Sequence, residues 1–440
     1  PQPKGWGIRD PPHSRCIKIN STLNGKAYFE GTKFNCSADF RCTKFNNNAY
    51  FMDAEFNRSA NFESVKFRRF SDFSSSKFNS AAYFELSEFS EDSDFLDTKF
   101  YGNAEFRSTK FNGITEFINT IFNGSTDSRI NFMNATFHDK ADFRGSIFNR
   151  IAWFDDSEFN QYCIFKYAKF DNAATFRNIV FNLADFTDVQ FNKEVSFRDS
   201  QFKNIAIFNN VRFKEDGLFE NATFLGMLSL NQTKYEKIYI RWSNIKGGLA
   251  YEDAAYMSLM KNFQDLGYRK DYDNCYIQYR IERRGIPWHE ITTFEDSAEK
   301  FIDRILYEFY GYGKKPLLPL QWSFITIIAF GFFWFFVSFR KILINIALRK
   351  HDTMDAEYFP MRDQLIAKDK LNLIYLLIEP FLFSIEIFLS GTKLFIDPPE
   401  VPVNSEVQSI IKLIFILERI AGALFSILFF LAVSESIVRQ

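Results

Sequence analysis

Residues 57–67 read NRSANFESVKF, and residues 79–89 read NSAAYFELSEF. Both stretches place one Phe five residues after another, with a small or β-branched residue two positions before each. The spacing extends far beyond them, as a ladder of 36 of the chain's 57 Phe residues runs from Phe29 to Phe224. Its steps alternate between five and six residues, with slips only at Phe122–Phe132 and Phe181–Phe186. A fixed eleven-residue period of this kind indicates a repeat architecture.

The period fits neither a helix, whose apolar face repeats at three and four residues, nor a flat strand, which repeats at two. It fits a coil that turns a corner about every five residues and sends one Phe and one small residue inward from each side. Stacked coils would bury these residues in continuous columns and pair their backbones. We therefore expect the ladder to be the core, as represented by Phe62, Phe67, Phe84, Phe89, Phe143 and Phe148.

This pattern resembles the pentapeptide-repeat family, whose fold is a right-handed, four-sided β-helix. The resemblance implies a β-solenoid domain over residues 25–245, after an N-terminal segment at 1–24. Four units per coil predict nine coils and a rod of roughly 40 to 45 Å at about 4.8 Å per coil. The extra residue in every second unit is a departure from the family pattern, and we place it as a bulge at a corner.

The charge on the repeat domain is nearly balanced. Residues 25–225 hold 24 Lys and Arg against 28 Asp and Glu, interspersed along the chain. A mimic of duplex DNA would need a strongly acidic surface, and nucleic-acid binding would need a basic stripe. The sequence therefore argues against both roles, and leaves a solvated face or a surface that docks protein partners.

Residues 246–315 lose the Phe period and gain helical spacing. Tyr256, Leu259, Met260 and Phe263 lie at i, i+3, i+4 and i+7, which predicts an amphipathic helix. A second helix is predicted through FEDSAEKFIDRILYEFY. These helices would form a linker that caps the last coil, because a solenoid must cover its open end.

Residues 316–440 are predicted to form a helical transmembrane domain. Residues 319–339 carry no charge and are long enough to cross a bilayer, with Trp322 and Trp334 as interfacial anchors. Residues 371–395 and 410–433 are also apolar but contain charged side chains. Three spans are the simplest count, and one span with a re-entrant pair is the alternative.

Charge bias between the spans predicts their orientation. Residues 340–370 hold seven Lys or Arg, whereas residues 396–409 hold none. Because positively charged loops stay in the cytoplasm, we expect a multi-pass protein of the cell membrane with an extracytoplasmic rod. The first residues, PQPKGWG, are compatible with a mature chain after signal removal.

The membrane region resembles two-span potassium-channel-like pore modules, which follow pentapeptide repeats in some archaeal, methanogen-type membrane proteins. The resemblance lies in YGYGKKPLLPLQW before the first span and ERIAGALFSILFFLAVSESIVR in the last. The filter region reads PFLFSIEIFLSGTKLFIDPP and lacks paired filter glycines. The resemblance implies an oligomeric pore, but the degenerate filter argues against potassium selectivity.

Ionisable residues inside the spans mark a conduit or a packed interface, because such groups are costly in lipid. The candidate pore or helix-pairing residues are Glu379, Glu386, Ser390, Gly391, Thr392, Lys393, Glu418 and Arg419. A pair of Arg419 with Glu379 or Glu386 would hold helices together, whereas a pore lining would leave the carboxylates wet. Pro380 and Gly391 are expected to break or kink the middle segment.

The sequence indicates no enzyme, metal site or cofactor. The four His residues are scattered, and no HExxH, CxxC pair, Walker loop or nucleophile elbow occurs. Two functions remain, each with the lipid bilayer as a partner and no nucleic acid. One is a homo-oligomeric, channel-like protein that carries the rod outside the cell. The other is a membrane-anchored scaffold or adhesion protein of the cell envelope that binds protein partners through the rod.

Overall fold

The computed structural model describes residues 6–7, 17–124, 128–285, 294–347, 372–392, 397–399 and 408–438. The chain divides into two compact units, Pro1–Tyr279 and Arg280–Gln440. The first is a parallel β-solenoid of about ten turns, and helices follow it. The solenoid predicted from the Phe period is thus confirmed.

Each coil of the solenoid has four short strands, which pair in parallel with the strands one coil away. Ala60 pairs with Ala82 and Lys66 with Glu88, so a regular coil contains 22 residues. Every strand of a regular coil is two residues long, and its inward residue is a ladder Phe or a small residue. The coil therefore has the four sides that the sequence predicts.

The first side comprises Thr22–Leu23, Lys44–Phe45, Lys66–Phe67, Glu88–Phe89, Lys110–Phe111, Thr136–Phe137, Glu158–Ile164, Val180–Asp185, Gln201–Phe202 and Thr223–Phe224. The second comprises Trp6–Gly7, Ala27–Tyr28, Ala49–Tyr50, Ser71–Asp72, Ser93–Asp94, Thr115–Glu116, Ala141–Asp142, Ala206–Ile207 and Leu228–Ser229, joined by the two long strands of the first side. The third comprises Lys33–Phe34, Glu55–Phe56, Lys77–Phe78, Lys99–Phe100, Ile121–Phe122, Ile147–Phe148, Lys169–Phe170, Gln190–Phe191 and Arg212–Phe213. The fourth comprises Ile17–Lys18, Ala38–Asp39, Ala60–Asn61, Ala82–Tyr83, Ala104–Glu105, Ile130–Asn131, Ala152–Trp153, Ala174–Thr175, Val195–Ser196, Gly217–Leu218 and Ile238–Tyr239.

The Phe rings fill the inside of the rod as four stacked columns. Phe84 stacks on Phe62 at 4.8 Å and on Phe106 at 4.9 Å, with rings within 2° of parallel. It also meets the edges of Phe73 and Phe95, at 5.4 and 5.7 Å. All five side chains are fully buried. Offset stacks and edge-to-face contacts are both favourable ring geometries, so these ring pairs stabilise the core in addition to the buried area.

The small-residue positions also stabilise the stack through hydrogen bonds. The buried Ser76, Ser87 and Thr98 hydroxyls donate to the carbonyl oxygens of Phe51, Phe62 and Phe73, at 2.7, 2.5 and 2.8 Å. A small residue thus makes room for the rings, and a hydroxyl satisfies a carbonyl of the previous coil. Cys163 occupies such a position as a buried free thiol, and burial raises the pKa of that thiol.

Two kinds of corner explain the alternation of five and six residues. At each five-residue step the residue two after the Phe is left-handed, as at Cys42 with φ 58°. The N–H of Thr43 closes that corner onto the Phe40 carbonyl at 3.0 Å. Left-handed residues recur every eleven positions from Gly31 to Gln232, apart from the slips. In the regular coils the six-residue steps make longer corners instead of the predicted bulge, because these coils carry the extra residue at the same place and stay in register.

Both slips in the ladder are absorbed locally. Across the Phe122–Phe132 step, Ala104 pairs with Ile130, so this coil spans 26 residues in place of 22. At the Phe181–Phe186 step, the corner is lost and Val180–Asp185 runs through as one strand. Its pairing with Glu158–Ile164 shifts register between Phe159 and Tyr162. Columns of rings continue past both irregularities, since Phe106 stacks on Phe132 at 4.8 Å and Phe165 on Phe186 at 5.2 Å.

Two helices pack on the final coil of the first unit. The ladder ends with Leu230, Tyr235, Ile240 and Ile245, which continue the five-residue period without Phe. Helix α1, Asp253–Asp265, buries the predicted face of Tyr256, Leu259, Met260 and Phe263 in the same core. Helix α2, Arg269–Arg284, adds the buried Cys275 and Tyr279. These helices cover apolar residues that the last coil would otherwise expose.

The second unit is helical. Helix α3, Phe294–Ile305, runs into a π-helical turn at Leu306–Tyr310 and a 3-10 turn at Gly311–Gly313. Helices α4, Leu317–Ala347, and α6, Gln408–Val438, each have 31 residues, or roughly 46 Å at 1.5 Å per residue. Helix α5, Asn372–Leu389, lies between them in sequence and is followed by a 3-10 turn at Ser390–Thr392.

Two of these helices are long and apolar enough to cross a membrane, over Leu317–Val337 and Ser409–Ser434. Helix α5 has 18 residues, or roughly 27 Å, slightly less than a hydrocarbon core of about 30 Å. Whether this segment spans or re-enters therefore stays a prediction. The helix continues through Pro380, so the break expected there is not formed.

Candidate functional site

The three long helices of the second unit pack against one another around a buried carboxylate. The inward face of α6 is formed by Phe415, Glu418, Gly422, Phe425 and Leu428, which recur every three or four residues. Glu418 is fully buried, although the rest of this face is apolar or Gly. Because a buried carboxylate must be hydrogen-bonded to be tolerated, its partners define the site.

Glu418 accepts one hydrogen bond from each of the other two helices. The indole Nε1 of Trp334 on α4 donates to Oε2 at 2.8 Å, and the hydroxyl of Ser384 on α5 donates to Oε1. The Ser384 hydroxyl also lies 3.0 Å from the Ile327 carbonyl oxygen, so its single proton has two available acceptors. We call Trp334, Ser384 and Glu418 the polar node; it joins all three helices.

The polar node bears on two expectations from the sequence. Trp334 is buried against Glu418 and is not an interfacial anchor. Among the described residues, Arg419 forms no ion pair with Glu386, and its guanidinium lies 6.0 Å from the ring of Phe415. Glu418 therefore links the helices through Trp334 and Ser384, and a pair of Arg419 with Glu379 stays a prediction.

Close backbone contact between α5 and α6 depends on two glycines. A Cβ atom on Gly422 would lie 2.0 Å from the Phe388 carbonyl oxygen, and one on Gly391 would lie 2.3 Å from the Arg419 carbonyl oxygen. Contacts this short have no room for a side chain, as in close helix packing inside membranes. Gly391 lies in the turn with Thr392 and Ser390, whose buried hydroxyl donates to the Ile387 carbonyl at 2.7 Å. Thus Gly391 and Ser390 lie in a packed turn against α6.

The remaining candidates lie on the outer side of α5 or beyond the described residues. Glu386 is exposed, and Glu379, seven residues earlier, is half-buried. Leu382 lies between them and is also exposed. Lys393 lies outside the described residues. Glu418 thus has a donor from each neighbouring helix, whereas Glu386 is exposed on α5.

The turn that precedes α4 also contacts the long helices. We call residues 306–313, the π-helical and 3-10 turns together, the collar. Within it, the Glu308 carbonyl accepts from the indole of Trp322 at 2.8 Å, and the ring of Phe309 lies 4.8 Å from Trp322 and 5.5 Å from Phe425. The collar thus contacts both helices that could cross a membrane.

Three consecutive left-handed residues shape the collar. Gly311, Tyr312 and Gly313 have φ of 56°, 54° and 75°. Tyr312 is held there by its hydroxyl, which donates to Asp303 Oδ2 at 2.7 Å, while Arg280 pairs with the same carboxylate and lies over the Tyr312 ring. A left-handed Tyr is strained, and such strain persists only where surrounding contacts enforce it. The sequence pattern YGYG was the only signal for this element.

Comparison with known proteins identifies the repeats. Residues 19–66, 128–169, 154–201 and 186–234 match the family described as Pentapeptide repeats (9 copies). No curated protein and no solved structure matches the chain. The chain thus carries pentapeptide repeats on a β-solenoid, a fold that is typically structural and not catalytic. Its helices include two that are long and apolar enough to span a membrane.

Proposed function

We propose that this chain forms a homo-oligomeric, channel-like membrane protein in which α5 lines a water-filled path and the pentapeptide-repeat rod lies outside the cell. The observation that carries the proposal is Glu386, an exposed carboxylate on a helix that packs between two candidate spans. A carboxylate that faces lipid costs several kcal/mol. Water in a pore, or another copy of the chain, would remove that cost.

The contrast between Glu418 in the polar node and the exposed Glu386 supports the placement of Glu386 on the path. Glu418 has a donor from α4 and another from α5, so its role is accounted for inside one copy. Glu386 projects from the outer side of the same unit, and it shares a helical face with Glu379 and Leu382. Copies that meet along this face would surround an acidic path, and acidic rings favour cations over anions. Gly391, which lies in the stretch aligned with a potassium filter, packs against α6. This packing agrees with a path that is not potassium-selective.

Cysteine accessibility tests the proposed path. Leu382 on α5 and Leu424 on α6 are both exposed on one copy, at 50% and 44%. In a background in which native Cys16, Cys36 and Cys42 are replaced by Ser, we expect Leu382→Cys to react with a charged, water-soluble thiol reagent in liposomes and to cross-link between copies, because it faces the path. Leu424→Cys is the matched control and should stay unreactive, because it faces lipid. Equal reactivity of the two variants, or reaction at Leu424→Cys alone, would overturn the proposal.

Native Cys42 tests the sidedness. It is an exposed free thiol on the rod, whereas Cys163 and Cys275 are buried. In intact cells, a membrane-impermeant maleimide should label the wild type and lose most of that signal in Cys42→Ser. Labelling that requires permeabilised cells would place the rod in the cytoplasm.

A scaffold function is the alternative, and one feature of the rod favours it. One position on four successive coils is apolar, and it is filled by Tyr162, Leu183, Ile205 and Met227. Tyr162 pairs with Leu183 in the sheet. The backbone N–H groups of Ala184 and Ala206 donate to the carbonyls of Ile205 and Met227 and continue the same register. Three of the four apolar side chains are exposed by 39% to 43%. An apolar edge of this kind suits a protein partner. If Ile205→Glu abolishes assembly of the purified chain while Lys203→Glu, on the same corner, does not, the scaffold would be preferred.

A further inference from the structure

A cleft opens beside the last coils of the rod, where α1 packs on them. Its volume is about 650 Å³, within the range of small-molecule sites. Four cationic side chains line it, namely Arg212, Lys214, Lys234 and Lys261. Two carboxylates, Glu236 and Asp265, also line it, so the cleft carries two more positive than negative charges.

The cations of this cleft differ from many on the rod because they have no carboxylate partner in the described part of the chain. On other coils, cations face carboxylates one coil away, as in Lys66–Glu88 at 3.1 Å and Arg198–Glu220 at 2.9 Å. In the cleft, Arg212 and Lys234 occupy neighbouring coils, and Lys234 follows Arg212 in the same column. Within the described residues, none of the four cleft cations forms an ion pair. Like charges gathered in a cavity repel, and a bound anion would relieve that repulsion.

The wall of the cleft is fixed before any ligand arrives. Asn262 on α1 is buried, and its side chain accepts from the N–H of Ile238 at 3.0 Å and donates to the Ile238 carbonyl at 2.9 Å. This pair of bonds ties α1 to the final strand and positions Lys261 beside the coil cations. Binding therefore would not require the backbone to become ordered.

We propose that this cleft binds an anion that carries phosphate groups. A single carboxylate would leave most of the four cations without a partner, whereas a phosphate presents several acceptor oxygens and more than one charge. Arg212 can bind two phosphate oxygens at once, and Lys234 and Lys261 act as point charges from opposite walls. The ligand is either a free phosphate compound or the headgroup of an anionic phospholipid. This inference is independent of the proposed channel.

Titration of the purified full chain tests the site with two probes, inorganic pyrophosphate and a short-chain, water-soluble phosphatidylglycerol. We expect saturable binding of at least one probe, weakened by salt, and about tenfold weaker in Lys234→Gln and in Lys261→Gln. Lys77→Gln is the matched control, because Lys77 also stacks on a cation, Lys99, but lies on another part of the rod. Its affinity should equal that of the wild type. Unchanged thermal unfolding of each variant shows that the rod stays folded.

The probes distinguish the two sources. Tighter binding of pyrophosphate indicates a free phosphate compound, and tighter binding of the phospholipid indicates a headgroup; either result supports the phosphate site. The proposal is overturned if neither probe binds saturably, or if Lys77→Gln weakens binding as much as the cleft variants do.

Discussion

Removing one donor from the polar node should destabilise the helical unit by a measurable amount. Trp334→Phe keeps an aromatic ring but deletes the indole N–H that lies 2.8 Å from Glu418 Oε2. A hydrogen bond to a charged group contributes about 1.5 to 3 kcal/mol in soluble proteins. Polar bonds between membrane helices average about 0.6 and reach about 1.7 kcal/mol. Since Glu418 is fully buried and keeps only the Ser384 donor in this variant, we expect a loss of about 1 to 2 kcal/mol.

The ring change has its own effect, because Trp334 packs edge-on against Phe383 at 5.2 Å. A double-mutant cycle separates the two contributions. Trp334→Phe is compared in the wild type and in Glu418→Leu, which removes the acceptor. Unfolding of the full chain in detergent is followed by the far-ultraviolet circular dichroism of the helices. The coupling between the two positions should be at least about 0.6 kcal/mol. A coupling indistinguishable from zero would refute the role assigned to the indole N–H.

Three further predictions concern the rod. Phe84→Ala should lower local stability by about 3 to 5 kcal/mol, seen as faster hydrogen exchange in the neighbouring coils and not in distant ones, with Lys77→Ala as an unaffected control. Leu86→Gly should raise stability by about 0.5 to 1 kcal/mol, because Leu86 is exposed and left-handed at φ 58°; a loss of stability in thermal unfolding would contradict this. Burial, with smaller contributions from Asp72 and Glu116, raises the pKa of Asp94 in the folded state. The folded protein therefore loses stability as the pH rises from the unfolded pKa of Asp94 to this higher folded pKa. Asp94→Asn should therefore raise the melting temperature at neutral pH and leave it unchanged at about pH 3, where the carboxyl is protonated in both states.

The fold of the rod could be predicted because its determinants are local and repeated. Each Phe and each small residue takes the same place in every coil, so one period in the sequence gives the core. The left-handed corner was not predicted, because very different residues, among them Cys42, Leu86 and Tyr167, occupy it. The repeated backbone bond that closes each corner sets its geometry more strongly than the side chain does.

The polar node could not be predicted because its partners are far apart in the chain. Glu418 lies 84 residues from Trp334 and 34 from Ser384. The sequence marks Glu418 as unusual, since a carboxylate in an apolar span must have a partner or water. It could not select the partner, because Trp and Ser side chains with free donors occur at several positions on these helices. The position of Glu386 on a water-filled path also stays a prediction, because the groups that would surround it belong to neighbouring copies of the chain.

The central claim is that Glu386 faces a water-filled path for ions, and single-channel current tests it most directly. The purified full chain is recorded in planar bilayers beside Glu386→Gln and the charge-retaining Glu386→Asp. We predict a conductance that prefers cations over anions, with that preference reduced in Glu386→Gln and kept in Glu386→Asp. No current from a folded, oligomeric protein, or a current with the same ion preference in all three proteins, would contradict the claim.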